Sequence, residues 1–344
     1  MSSFSVIVPC YNYAHYLEAC VNSILSQGVD VEVLIIDDCS NDDTPRVGAY
    51  LARDSRVKFL RHETNQGHIK TYNEGLALAT GDFTALISSD DLLTPGALRR
   101  AQAVLDAHPE VVMVYGRSIY FQSNDNLPKA RTGEPRVDIW EGRDWIAERC
   151  KTATSCISSP EVVVRTSLQR RLGGYRTDLP HAGDLEMWLR FAAHGSVAYL
   201  GGVDQAYYRK HVANMHVTKF NSPLADLAQR KAAFDVVLDA HGATIRDVGE
   251  LRQVAHRALA REALQTACWS FDHCRLDQVS VEDLAAFAQS TYPDVRSLTE
   301  YHALRLRRSI GPRWSHVLRY ILPSRYLRWT KNWLWWRRWR ARGV

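Results

Sequence analysis

Strand-like apolar runs alternate with helix-patterned segments through the first 115 residues, and no other feature limits the fold as much. Phe4–Pro9, Val31–Asp37, Val57–Leu60, Phe83–Ile87 and Val111–Tyr115 read as strands. Between them, Tyr16–Gln27, Thr44–Arg53, Lys70–Ala79 and Pro95–Ala107 carry apolar residues at helical spacing. Leu17, Val21, Ile24 and Leu25 share one face of the first helix, and Gly28 stops it. The second strand is nearly all apolar at its end, as a strand covered on both faces must be. Repeated units of this length predict an α/β fold with a mainly parallel sheet flanked by helices. A ligand then belongs in the crevice at the carboxyl ends of the strands.

The periodicity weakens over the polar stretch 118–136, which reads as loop or hairpin. It resumes with helices at Trp140–Arg149 and Asp184–Ala193 and strands at Val162–Arg165 and Ala206–Lys210. Helical patterns then dominate: Leu224–Ala240, Asp247–Trp269 and Val281–Gln289. A boundary near Asn221 divides residues 1–220 from a helical region, 221–311, and a tail, 312–344. The 344 residues suffice for two domains. Met1-Ser2-Ser3 runs into the first strand without a basic leader, and no run of 18 apolar residues occurs. Seven cysteines without paired CxxC spacing read as free thiols of a reducing compartment, which predicts a cytoplasmic body.

Acidic residues gather at predicted strand ends. Asp37-Asp38 closes the second strand, Asp90-Asp91 follows the fourth, and Asp184 opens a helix with Glu186 two residues on. Adjacent loop carboxylates suit a hard divalent cation shared with substrate phosphates. Asp is also common in turns and at helix caps, so a single pair decides nothing. Two pairs at matching strand ends favour a site. The chain has no GxGxxG and no phosphate-binding P-loop, and His211…His216 lacks zincin spacing, which argues against dinucleotide oxidoreduction, ATP hydrolysis and zinc proteolysis.

The segments Ser5-Val6-Ile7-Val8-Pro9-Cys10-Tyr11-Asn12 and Ile35-Ile36-Asp37-Asp38-Cys39-Ser40 resemble the opening of family 2 glycosyltransferases, which have the GT-A nucleotide-binding fold. Asn65-Gln66-Gly67, Asn73-Glu74-Gly75 and Ala79-Thr80-Gly81-Asp82 continue the resemblance. Ser88-Ser89-Asp90-Asp91 is similar to the family's metal-binding DxD variant, and Gly183–Arg190 to its Glu-Asp catalytic motif. Tyr208–Met215 resembles the segment closing the catalytic domain. The likeness covers about residues 4–215, with the motifs in order.

The resemblance implies an inverting, metal-dependent transfer of a sugar, of hexosyltransferase type, from a nucleotide-sugar donor to a hydroxyl. A UDP-sugar is favoured over a dTDP- or GDP-sugar. Pro9, Tyr11 and Asp38 would line the base, where a Tyr face stacks on a pyrimidine and a carboxylate accepts its ring N–H. Asp90 would lie near ribose or metal, and Asp91 would ligate Mn²⁺ or Mg²⁺, the Lewis acid that offsets charge on the leaving diphosphate. Arg209 and His211 would meet the diphosphate, His211 also reaching the metal. A lone His is as readily structural. Asp184 would be the general base, with Glu186 and Trp188 on the acceptor side, although Trp188 also fits simple packing. Here Gly183 stands where the family commonly has Glu, and a helix cap is the plainer reading of Asp184. A non-catalytic, nucleotide-binding scaffold of a glycan-assembly complex is the competing function.

The net charge of +5 averages two unlike parts. Residues 301–344 hold twelve Lys and Arg, no acid and six of the ten Trp, and the rest carries −7. On a helix, Leu322, Tyr326, Trp329, Trp333 and Trp336 fall on one stripe, opposite Arg328, Lys331, Arg338 and Arg342. Trp335 and Trp339 lie toward the basic side. This predicts an amphipathic helix on an anionic membrane surface, at the inner face of the cell membrane, with a glycan or lipid-linked acceptor of surface polysaccharide synthesis. Nucleic acid is disfavoured by the acidic body. A homo-oligomer is compatible with the sequence.

Overall fold

The computed structural model describes residues 2–211, 222–276, 280–319 and 324–344. Residues 212–215 of the closing motif, His216, the boundary near Asn221 and Leu322 lie outside them, as do the side chains of Tyr326, Arg328, Trp329 and Lys331. The chain divides into two compact units. One comprises residues 1–145, 155–214 and 341–343, the other 146–154, 215–340 and 344.

In the first unit the chain runs β1 (Phe4–Cys10), α1 (Ala14–Leu25), β2 (Val31–Asp37), α2 (Thr44–Leu51), β3 (Val57–Arg61), α3 (His68–Leu78), β4 (Phe83–Leu86), β5 (Leu92–Leu93), α4 (Ala97–Ala107) and β6 (Val111–Tyr115). It continues through β7 (Ser118–Phe121), β8 (Arg136–Trp140), the start of α5 (Gly142–Thr152), β9 (Val162–Arg165), α6 (Thr166–Leu172), α7 (Gly183–Ala192), β10 (Ser196–Gly201) and β11 (Ala206–Arg209). Eight strands form one sheet in the order β3-β2-β1-β4-β9-β6-β10-β8, and β5-β11-β7 form a second. β3, β2, β1 and β4 are mutually parallel, while β9 runs antiparallel between β4 and β6. Phe4, Val6, Val8, Val33 and Ile35 on one face and Ile7, Leu34 and Ile36 on the other are buried, because both faces of these central strands are covered.

Several elements depart from the sequence reading. The stretch 118–136 contains β7, which pairs in parallel with β11. β8 occupies Arg136–Trp140, so the helix expected from Trp140 starts at Gly142. β10 and α6 lacked a signal. β8 is an edge strand with mostly exposed side chains, so it has no apolar face to announce it.

The second unit is helical: α8 (Pro223–Ala240), α9 (Val248–Asp272), α10 (Val281–Thr291), α11 (Thr299–Leu318) and α12 (Ser324–Arg342). Along α9, Leu251, Ala255, Leu259, Ala263 and Ala267 are buried, one stripe at helical spacing. Guanidinium–carboxylate forks join its helices: Arg230 donates to Glu262 at 2.7 and 2.9 Å, and the buried Arg307 to Asp272 at 2.8 and 2.9 Å. α11 bends at Gly311-Pro312, where Gly311 adopts a positive φ that favours glycine. Among the described residues no helix is long and apolar enough to cross a membrane.

Candidate active site

Because β1, β2 and β4 are parallel, their carboxyl ends lie side by side, and the chain leaves each end through a loop that carries site residues. After β1, Asn12 takes a left-handed conformation; its N–H donates to Ser40 Oγ at 2.8 Å and its Oδ1 accepts from Asn41 N–H at 2.8 Å. These bonds lace the β1 and β2 loops and leave the Tyr11 ring 45% exposed at the tip, open to a flat ligand. Pro9 lies one residue before the end of β1, paired with Ile36.

Asp38 sits buried just beyond β2. Its Oδ1 accepts from Gln66 N–H at 2.7 Å and meets His62 Nδ1 at 2.7 Å, and its Oδ2 accepts from Gly67 N–H at 2.9 Å. Burial alone would raise its pKa, but these donors outweigh it and hold the carboxyl below its usual value. His62 Nε2 lies 2.6 Å from Glu74 Oε2, so two carboxylates grip one ring. Burial pulls the His62 pKa down, the two carboxylates push it up more strongly, and the net direction is upward. His62 and Glu74 are participants that the sequence reading missed. His62 follows directly on β3, so extending the strand-end rule to that strand finds it.

Beyond β4, Asp90 and Asp91 are both buried. Asp91 Oδ1 accepts from Arg209 N–H at 2.8 Å, and His211 Nε2 lies 2.9 Å from Asp90 Oδ2. Burial first, and the neighbouring Asp90 second, push the Asp91 carboxyl well above its usual pKa. A divalent cation relieves that strain, so this donor pair fits one. Among the described residues no group of three or more His, Cys, Asp or Glu is arranged around a metal position. A cation held together with a diphosphate takes its other ligands from phosphate oxygens and water.

Arg209 has a different place from the one expected. Its guanidinium is buried, 4.1 Å from the Tyr16 ring centroid and 4.2 Å from that of Phe121. It donates to the carbonyls of Asp90 at 2.8 Å and Gln122 at 3.1 Å and to Asn124 Oδ1 at 2.5 Å. Arg209 therefore pins the Asp90-Asp91 loop from behind and does not face a diphosphate.

Asp184 occupies the first turn of α7 and is partly exposed. The helix is capped by Ala182, so capping does not account for Asp184. Ser159 Oγ donates to Asp184 Oδ2 at 2.7 Å, and the Tyr175 hydroxyl also bonds to the carboxylate. Burial raises the Asp184 pKa, while Ser159, Tyr175 and the nearby His68 and His181 pull it back, leaving it above the usual carboxylate value. That suits a base.

The acceptor roles expected for Glu186 and Trp188 do not survive their positions. Glu186 is 1% exposed and forms a fork with Arg190, at 2.9 and 3.0 Å. Trp188 is 4% exposed and packs against Phe191. Both lie on the inward side of α7, where burial of long side chains outweighs any claim of a ligand.

A largely parallel sheet, with β9 antiparallel inside it, β8 antiparallel at its edge and carboxylates along its strand ends, has the arrangement of a GT-A glycosyltransferase. Residues 5–159 match the model of Glycosyl transferase family 2, so this stretch carries a domain of that family. An uncharacterized glycosyltransferase of Nostoc sp. strain PCC 7120 is 26% identical over 246 residues, 67% of this chain and 72% of the relative. Poly(ribitol-phosphate) beta-N-acetylglucosaminyltransferase TarS of Staphylococcus aureus is 35% identical over 118 residues, 33% of this chain and 21% of TarS. The crystal structure of TarS 1–349 with UDP-GlcNAc superposes with a TM-score of 0.63 at 20% identity, covering 92% of this chain and 91% of that one. The mannosyltransferase PcManGT of Pyrobaculum calidifontis, in complex with GDP-Man and Mn²⁺, gives a TM-score of 0.54 at 19% identity over 89% and 86% of the two chains.

Proposed function

We propose that this glycosyltransferase moves a sugar from a UDP-sugar, with inversion, to a hydroxyl of a glycan or lipid-linked acceptor in surface polysaccharide synthesis. The observation that carries the reading is Asp184, a partly exposed carboxylate outside any capping role and aimed by two hydroxyl donors. Asp184 takes the proton of the acceptor hydroxyl as its oxygen attacks the anomeric carbon, and its charge also favours an oxocarbenium-like transition state. Tyr11 stacks on the base, and Asp38 holds the loop at its edge with one Oδ2 lone pair to spare. Asp91, with Asp90 and His211 beside it, would hold Mn²⁺ or Mg²⁺. The ion supplies Lewis-acid stabilisation of the leaving diphosphate. The UDP-GlcNAc bound by TarS and the Mn²⁺ bound by PcManGT support the choice of donor and metal.

The test is a panel of UDP-, dTDP- and GDP-sugars assayed for Mn²⁺-dependent nucleotide release. One donor should be turned over, and EDTA and Asp184→Asn should each abolish turnover. Binding without turnover across the panel would instead support the scaffold function.

The tail supports an address at the inner face of the cell membrane. On α12 the side chains of Trp333, Leu334 and Trp336 are exposed, with Arg337 over the Trp333 ring at 4.6 Å and Arg340 over Trp336 at 3.6 Å. Trp and Arg packed in this way suit the headgroup layer, where each cation contributes roughly 1 kcal/mol on an anionic surface. Flotation with anionic liposomes should be lost on changing Trp333, Leu334 and Trp336 to Ser. Equal flotation would sink this address.

A further inference from the structure

The glycine at the position where the family commonly has Glu has a partner. A Cβ placed on Gly183 would stand 3.1 Å from Tyr175 Cδ1, so the Tyr175 ring lies across the space that a side chain there would need. From that position the Tyr175 hydroxyl reaches Asp184.

Three sets of contacts fix Tyr175. Its backbone is clamped by Asn73 of α3: Tyr175 N–H donates to Asn73 Oδ1 at 2.6 Å and Asn73 Nδ2 donates to Tyr175 O at 2.8 Å. The turn before it is held by Arg190, which donates to the carbonyls of Leu172 at 2.6 Å and Gly174 at 2.8 Å while its other face forks with Glu186. The ring packs edge-on against Tyr72, with centroids 5.4 Å apart. One helix, α7, thus presents Asp184 at its start and uses Glu186 and Arg190 to grip the turn that returns Tyr175 to it.

We propose that Tyr175 is a positioning residue for the general base, its hydroxyl and that of Ser159 aiming the Asp184 carboxylate at the acceptor hydroxyl in place of the missing acidic neighbour. This rests on Asp184 being the base. Two donors on a carboxylate fix its rotamer and favour its charged form, the form that accepts a proton. The other groups around it are His68 and Tyr72 of α3, His181 before α7 and Tyr208 of β11, with Arg190 of its own helix acting on Tyr175. Tyr175 and Ser159 each make a hydrogen bond to Asp184.

Removing a donor to the charged form shifts Asp184 toward protonation, so the acidic limb of turnover must move to higher pH. Tyr175→Phe keeps the ring and its packing. The experiment follows UDP release from UDP-GlcNAc, with water as the acceptor, from pH 5 to 9. It is paired with a donor-independent readout, the ¹³Cγ titration of Asp184 in protein labelled at Asp. The expected result is a shift of both limb and titration upward by roughly one pH unit, about tenfold lower kcat at pH 6 with recovery toward pH 8. KM for UDP-GlcNAc should stay within about twofold, because the donor site is untouched. Ser159→Ala should give a smaller shift of the same sign. Unmoved titrations in both folded variants overturn the role of Tyr175. If Asp184→Asn leaves UDP release intact, the base assignment itself fails. If Asp184→Asn is inactive but Tyr175→Phe keeps the wild-type profile, only the present inference fails.

Discussion

Asp38 and Asp91 stand beyond the ends of β2 and β4, the two strands that flank β1, both buried, and their surroundings push them in opposite directions. Asp38 faces two loop N–H groups and a histidine ring, which hold its carboxyl below the usual carboxylate value. Asp91 faces one N–H and another carboxylate, and is pushed toward protonation. Burial is common to both, so it is the count of donors that separates a carboxylate built to organise a loop from one left short of positive charge. The first contributes to folding as it stands; the second costs stability unless positive charge offsets it.

The largest test of this contrast is Asp91→Asn. It should cut turnover by about 10³-fold and remove the response to Mn²⁺, with the melting temperature unchanged or raised, because an uncompensated buried charge is gone. A large loss of stability would erase the distinction from Asp38. Next, Arg209→Met should lower stability by roughly 3 kcal/mol in urea titrations, since it strips the Asp90-Asp91 loop of its buried donor while keeping an apolar stem between Tyr16 and Phe121. Asp38→Asn should cost about 2 kcal/mol, because one side of its amide turns donors toward the N–H groups it must accept from. The folded Asp38 pKa lies below the unfolded one, so its contribution is present above the unfolded value and fades as pH falls through the folded one. Melting temperatures from pH 6 down to pH 2 should therefore fall more steeply for the wild type than for Asp38→Asn. Smallest, Tyr11→Ala should weaken UDP binding by about 1 kcal/mol in calorimetry and leave melting unchanged, as an exposed ring supports no core.

The two halves of the first unit were also unequally legible. β2 and β6 have the bounds that their apolar runs predict, because a strand covered on both faces must be mostly apolar. β8 was missed because its mostly exposed side chains look like loop. Asp38 and Asp91 could be singled out because motif and strand end coincide, and Asp184 because motif and helix start do. Arg209, Glu186 and Trp188 were misplaced because a sequence does not say which way a long side chain turns, and here all three turn inward. Ser159 and Tyr175 carried no local signal, since their meaning depends on a helix that starts at residue 183.

The strand order also bears on how the chain is made. β1 to β4 are adjacent in the large sheet and occupy residues 4–86, so they can pair as they leave the ribosome. β6 cannot join them on emergence, for its link to that half is β9, more than forty residues later. Until residue 165 has been synthesised, a buried apolar strand waits without its bridge to the nascent sheet. The strand ends that lead to Asp38 and Asp91 are therefore made early in translation, and Asp184 late.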